Sequence, residues 1–403
     1  EYIATELNPP LISRRLTRGL REGEPEIFET RSHFDSDGLL LRRILPQGNE
    51  IRFRYAATAS RRGGMNLIER RRVADPARGG GEDLVTTFTY EPLFNQVASI
   101  TGPRGNDPSF VPPLGTRSAA RYTTRFFYDY QEHDDPVPLA EAFGIDLSGV
   151  PRGLGDLNGD GRVDQGAGLR VRSTAPSVTL RPDSNEAAAR GSTSQAVLSE
   201  FQYNDRGQLT AIIDAEGNVV TIEHHPENDP DGDGRTLRSP YLALTAEPTG
   251  YPSATIIDAA PSPRRTATAA PAALRSTIRY DPVGNPIAVV NPRGVESRME
   301  VTALNETVVV TRGADVAAAI ASGQLVTAEE PFAFRARFTY DHNGRVVREE
   351  LENRDETTPG VGAFVEHLFA YDILDNLVAA TAEVDANTVN VTQLRYDPNE
   401  LPV

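Results

Sequence analysis

Residues 156–164 read DLNGDGRVD, and their types and spacing suit one chemistry, the binding of a hard cation by oxygen. Asp156, Asn158 and Asp160 occupy alternate positions 1, 3 and 5, where a tightly turned loop points side chains inward. Gly161 at position 6 allows the sharp turn. The backbone carbonyl of Arg162 serves position 7, and Asp164 serves position 9 directly or through water. Position 12 is Ala167, so a bidentate carboxylate must come from elsewhere or binding is weak. A second stretch, NDPDGDGRT at 228–236, repeats the pattern. Here Asp229, Asp231 and Asp233 stand at 1, 3 and 5, Gly234 at 6, and the Arg235 carbonyl at 7. Leu237 and Pro240 at 9 and 12 bring no side-chain ligand. Calcium is the cofactor expected at both loops; a solvated acidic turn is the alternative at each.

Other chemistry is poorly provided for. His33, His133, His224, His225, His342 and His367 form no metal-ligand spacing, and the chain has no Cys. No nucleophile elbow, phosphate loop or dinucleotide fingerprint occurs. The carboxylate pairs Glu349-Glu350 and Asp134-Asp135 are adjacent, so on a strand they point to opposite faces and cannot converge for acid–base work. A non-enzymatic protein is expected, with a hydrolase assembled from distant acids as the alternative. The first loop resembles the calcium loop of dockerins. The paired second segment of a full dockerin is not found nearby, so cohesin binding is not expected.

What elements hold these loops? The chain has 403 residues, 38% of them hydrophobic, so a sizeable core is within reach and global disorder is not expected. The 33 Gly and 30 Pro suit a turn-rich chain better than a helical one. No run of about 18 apolar residues occurs, so no membrane-spanning helix is expected. The formal charge of −16 argues against a nucleic-acid partner and favours divalent cations. All 41 basic residues are Arg, which we read as a consequence of coding-DNA composition. The first residues, EYIATELNPP, lack Met and any signal-peptide pattern and read as a cut or mature end.

The organising feature is a repeat. YNDRGQLTAIIDAEG at 203–217, YDPVGNPIAVVNPRG at 280–294 and FDSDGLLLRRILPQG at 34–48 share an aromatic anchor, Asp or Asn next, and two glycines 10 residues apart. The following anchor falls 7 residues after the second glycine, at Tyr55, His224 and Val301. Asp or Asn at the first turn position and Gly at the fourth is a type I signature, and the Gly closes a bulged hairpin loop. The strands between alternate: Ile51, Phe53 and Tyr55 oppose Glu50, Arg52 and Arg54. One face is therefore packed and one wet. A single hairpin cannot bury its apolar face, so neighbours must stack. Looser units follow Tyr90, with Phe94 in the Gly position, Tyr128, Tyr340, Tyr371, with Asp375 for Gly, and Tyr396.

The Tyr-Asp dipeptides at Tyr128, Tyr280, Tyr340, Tyr371 and Tyr396, with YEPLFNQVASITGPRGN at 90–106, are similar to the RHS/YD-repeat family over nearly the whole chain. The resemblance implies an all-β fold of stacked antiparallel β-hairpins in a continuous spiralling sheet, shell or tube, with loop insertions and short helices. It further implies a secreted or cell-surface structural scaffold that encloses or presents another polypeptide. The partners it implies are further repeats of a longer chain or identical subunits, and an encapsulated polypeptide or cell-surface ligand. An adhesive or tubular filament subunit is the alternative; a polysaccharide-active enzyme is a third. The expected organisation is repeat sheet over 1–128, an insertion with the first acidic loop over 129–197, a repeat over 198–225, an insertion with the second loop over 226–275, and repeat sheet over 276–403. The last segment carries an insertion at 312–335 and is expected to stop within a repeat. Helices are predicted at 184–191 and over Asp315–Gly323.

If Gly284 and Gly294 are left-handed, replacing either with Val should destabilise the fold by about 1 kcal/mol or more. Urea unfolding measures this, and neutrality at both would mean that the turns are misassigned.

Overall fold

Asp and Gly three residues apart close the hairpins as the spacing predicts. In the turn 35–39 the Asp35 carboxylate accepts the N–H groups of Asp37 (3.0 Å) and Leu39 (2.8 Å), and Gly38 stands at φ +82°. The arrangement recurs at Asn204, Asp214, Asp281, Asn291 and Asp341, with Gly207, Gly217, Gly284, Gly294 and Gly344 left-handed. Each short acceptor satisfies two backbone donors that a tight turn would leave orphaned.

This computed structural model describes residues 2–3, 12–18, 27–57, 64–75, 81–111, 119–163, 167–179, 194–237, 244–261, 270–313, 334–353, 363–372, 375–385 and 388–396. The predicted helices at 184–191 and 315–323, and the repeat half after Tyr396, lie outside them.

The chain divides into two compact units. The first comprises residues 1–219 with 261–269. It carries β1 (Tyr2–Ile3), β2 (Ile12–Arg18), β3 (Ile27–Phe34), β4 (Leu40–Ile44), β5 (Glu50–Tyr55), β6 (Leu67–Arg72), β7 (Leu84–Tyr90), β8 (Val97–Thr101), β9 (Thr123–Tyr128), β10 (Arg170–Thr179), β11 (Ser194–Tyr203) and β12 (Leu209–Ile213). Each pairs antiparallel with the next. β13 (Asn218–His224) lies across the boundary. The second unit comprises residues 220–260 and 270–403. It carries β14 (Pro252–Pro261), β15 (Leu274–Tyr280), β16 (Pro286–Val290), β17 (Glu296–Val301), β18 (Thr307–Arg312), β19 (Phe334–Tyr340), β20 (Val346–Asn353), β21 (Ala363–Tyr371), β22 (Leu377–Asp385) and β23 (Thr388–Gln393), again each antiparallel to the next. The helices are short, α1 at Pro103–Asn106 and α2 at Pro138–Phe143. No helix among the described residues is long and apolar enough to cross a membrane. The fold is all-β, a stack of antiparallel hairpins.

The anchor tyrosines do more than fill space. Each ends a strand, and its hydroxyl donates to the carbonyl of the first residue of the preceding strand. The bonds run from Tyr55 to Leu40 (3.1 Å), Tyr90 to Leu67 (2.9 Å), Tyr128 to Val97 (2.7 Å), Tyr203 to Arg170 (3.0 Å), Tyr340 to Thr307 (2.8 Å) and Tyr371 to Val346 (2.9 Å). A phenol thus presents its ring to the apolar face and its O–H to a strand terminus that needs a donor. Tyr280 differs: its phenol makes no hydrogen bond among the described residues, and its ring packs against Tyr251 (5.1 Å) and His225 (6.3 Å). At Tyr55, Tyr90, Tyr203, Tyr280, Tyr340 and Tyr371 the register shifts at the anchor itself, a bulge that adds local twist.

At Asn95, Asn305 and Asp375, three of the left-handed residues other than Gly, the side chain joins neighbouring connections together. Asn305 (φ +63°) accepts from Asn285 (2.9 Å), Asp375 (φ +66°) from Arg345 (2.6 Å), and Asn95 (φ +60°) exchanges amide bonds with Asn66 (2.6 and 2.9 Å). The sequence placed Phe94 in the left-handed position. The structure instead puts Asn95 there, because Glu91, one methylene longer than Asp, spans a turn one residue longer and accepts from Leu93, Phe94 and Gln96.

The wet face carries arginines forked over glutamates. Glu50 takes Arg42 (2.7 Å) and Arg52, Glu69 takes Arg54 (2.8 Å) and Arg71 (3.0 Å), and Glu296 takes Arg279 (2.9 Å) and Arg298 (3.1 Å). Arg54 foremost holds the Glu69 carboxyl below its ordinary range, Arg298 does so for Glu296, and Arg31 with Arg14 brings Glu29 down to about 2. An ammonium could not present several donors in one planar fork, so the all-arginine composition has a structural use.

The predicted insertions prove shorter. Within 129–197 the ladder resumes at β10, leaving 129–169; within 226–275 it resumes at β14. The first insertion is well packed: Tyr130 and Leu93 are fully buried with Tyr128, Val137 and Ala140, and Phe94, Ile145 and Leu147 close around them. Phe94, displaced from the turn role, supplies an aromatic wall beside Tyr130 (6.1 Å).

Tyr90→Phe should cost about 1 kcal/mol by losing its tie to Leu67, whereas Tyr280→Phe should stay within about 0.5 kcal/mol. Chemical denaturation of both variants checks the contrast.

Candidate metal centre

Both acidic loops are built from the same local parts. In each, Gly at position 4 and Gly at position 6 are left-handed: Gly159 and Gly161 at φ +72° and +82°, Gly232 and Gly234 at +73° and +81°. The N–H of the second Gly points at the first carboxylate, Gly161 to Asp156 Oδ2 (2.9 Å) and Gly234 to Asp229 Oδ2 (3.1 Å). The N–H at position 7 points at the carboxylate of position 5, Arg162 to Asp160 (2.8 Å) and Arg235 to Asp233 (2.7 Å). Backbone N–H groups of the loop take both oxygens of Asp156, whereas Asp160 and Asp229 each keep one oxygen without a hydrogen bond among the described residues, and oxygens at alternate positions are what coordination of a hard cation requires. Two glycines in αL, where other residues are strained, make the turn tight enough.

The first loop is seated on the packed insertion. Buried Glu132 accepts from Leu157 (2.7 Å), and Asp129, 1% exposed, accepts from Ala167 (2.6 Å) and Gly168 (3.0 Å). Asn158 is fully buried; its side-chain oxygen accepts from Asp160 (3.1 Å) and its carbonyl from Gln202 (3.1 Å). Exposed Arg162 folds back over the loop: its guanidinium reaches Asp205 (2.7 Å) and the Tyr203 carbonyl (2.9 Å) and stands 3.6 Å from Asp160 Oδ2. That oxygen is buried without a hydrogen bond. Asp164, the expected ligand at position 9, lies outside the described residues.

The second loop brings its three carboxylates together. Asp229, Asp231 and Asp233 each bring an oxygen within 4.8 Å of the others, the one place among the described residues where three acidic or imidazole groups gather so. Asp231 is 8% exposed, and its carboxylate makes no hydrogen bond or ion pair among the described residues. Oδ1 of Asp229 is buried with no partner. At that spacing each pair of carboxylates repels by at least about 3.5 kcal/mol at an effective dielectric of about 20. Arg235, 3.7 Å from Asp233 but with 89% of its side chain exposed, offsets little of this. A divalent ion held by the three carboxylates and the Arg235 carbonyl would neutralise the set. Pro240 lies outside the described residues, and exposed Leu237 offers no side-chain oxygen, so water would complete the shell.

The sequence matched more ligand positions in the first loop than in the second, yet among the described residues only the second brings three carboxylates together. Asn158 and Arg162 explain the difference: one is neutral, and the other brings a resident cation to Asp160. No sequence signal announced that Arg162 folds back. Of the adjacent carboxylates, Glu349 pairs with His367 (3.1 Å) and Glu350 with Arg348 (3.4 Å), so they separate as strand geometry predicts.

No family model matches the chain, and no curated protein matches it. Among solved structures it is similar to the crystal structure of TcdB2-TccC3 without the hypervariable C-terminal region, at 10% identity and a TM-score of 0.42, over 92% of this chain and 14% of that one. It is also similar to the Photorhabdus luminescens Tc holotoxin pore, at 12% identity and a TM-score of 0.36, over 93% of this chain and 18% of that one. The chain spans less than a fifth of the length of either.

Proposed function

We propose that this chain is a stretch of wall in a secreted or surface-exposed YD-repeat protein: a non-enzymatic β-sheet scaffold that encloses or presents another polypeptide. The observation that carries the reading is the phenol-to-carbonyl tie, made at six strand ends in the same geometry. A sheet that spends its recurrent aromatic residue on joining strand to strand is built to extend by repetition. The YD-repeat resemblance supplies the expectation of an enclosed or presented partner. Electron microscopy of the product of the complete gene tests it. Hollow particles with an internal polypeptide that survives protease are expected. End-to-end filaments would favour the adhesive fibre, and turnover of a polysaccharide would overturn the non-enzymatic reading.

The two acidic loops are calcium staples in this proposal, supported by the buried oxygens of Asp160 and Asp229 that have no hydrogen bond, and by the carboxylate of Asp231, unpartnered among the described residues. Calcium at about 100 times its dissociation constant stabilises a folded protein by roughly 2.7 kcal/mol. EGTA should therefore lower the melting temperature by several degrees, and Asp160→Ala combined with Asp231→Asn should abolish the response. Indifference of the unaltered protein to EGTA removes calcium from the account.

A further inference from the structure

We infer that calcium in the 229–235 loop controls the hairpin led by Tyr280, so that the ion acts as a conditional substitute for the tie its phenol lacks. The inference rests on the calcium reading of this loop. Tyr280 ends β15 as the other anchors end their strands, yet its hydroxyl is bonded to nothing among the described residues. In place of that bond, its backbone N–H donates to the carbonyl of Asp231 (3.0 Å), inside the acidic loop. A ligand residue of the loop therefore holds the strand through one peptide carbonyl.

Further contacts make the loop and the hairpin one mechanical piece. The Pro230 carbonyl accepts the N–H of Tyr251 (3.0 Å), and the Tyr251 ring lies on Tyr280 (5.1 Å). His225 sits under the loop, its ring so close to Gly232 that a Cβ there would fall 2.2 Å from Cε1, and its Nε2 lies 2.9 Å from the Ile278 carbonyl in β15. The same ring meets Tyr280 edge-on. Left to themselves, three carboxylates within 4.8 Å push the loop open, and opening it carries the Asp231 carbonyl away from Tyr280. A divalent cation reverses that push. The coupling is local, because the tie from Tyr340 to Thr307 is made without any acidic loop.

Hydrogen exchange of the 403-residue protein carrying Asp160→Ala, which silences the first loop, tests this in calcium and in EGTA. Binding is followed separately by displacement of tyrosine-sensitised terbium emission with calcium. Calcium should slow exchange of the Tyr280 amide at least tenfold, leave the β3–β4 hairpin unchanged, and lose both effects and binding in Asp231→Asn. Calcium binding with unchanged exchange at Tyr280 overturns the coupling, as does equal slowing in β3–β4. Absence of binding overturns the calcium reading beneath it. Comparison of the two solutions needs no ligand substitution, so a poorly folded Asp231→Asn leaves the test intact.

Discussion

A strand has to end somewhere, and its end leaves a carbonyl without a ladder partner. In this protein the hydroxyl of a tyrosine from the next strand meets that carbonyl, at Leu40, Leu67, Val97, Arg170, Thr307 and Val346 alike. Most of these carbonyls are half-buried, where an acceptor is costly to leave unmade, so the bond helps to set where each strand begins relative to its neighbour. The bulge at the anchors, the turn that follows and the face each side chain takes all depend on that register, since a slip of one residue exchanges the two faces.

Given the register, the remaining interactions fall on two sides of a thin sheet. Apolar side chains such as Phe53 share a face with the tyrosines, while glutamates such as Glu69, 13% exposed, gather two arginines each on the other. Surface ion pairs taken singly contribute little, but a carboxylate bridging two guanidiniums is held in one geometry and resists slippage between strands. Links between turns, from Asn285 to Asn305 and from Arg345 to Asp375, add a third restraint at the sheet margin. They also explain why those positions tolerate a left-handed residue other than Gly: the side chain has a bond to make.

The insertions are where this uniform plan departs into something specific. The 129–169 segment packs a buried cluster with Leu93, and Tyr130 donates to the buried Glu91 (3.0 Å), joining the insertion to a repeat turn. Burial and the Glu91 charge push the Tyr130 phenol well above its ordinary range, and it stays a donor. The second insertion is smaller and gathers Asp229, Asp231 and Asp233. Its loop hangs on Tyr280, the anchor whose phenol has no strand carbonyl, so the two departures from the repeat coincide.

The sequence alone determined the hairpins, because turn chemistry is local: Asp35 and Gly38, Asp281 and Gly284 interact within five residues whatever surrounds them. It likewise determined which residues would form the acidic loops, since alternate oxygens around Gly161 and Gly234 are a short-range pattern. It placed the left-handed residue after Tyr90 one position early, because the reach of the Glu91 side chain is not visible in spacing. Only the tertiary structure decided that Arg162 folds back over its own loop, where the insertions end and how each tyrosine is used. Those outcomes turn on partners 15 to 44 residues away, as when Arg162 reaches Asp205 or Tyr128 reaches Val97, and a pairing at such separation exists only once the strands between have been stacked.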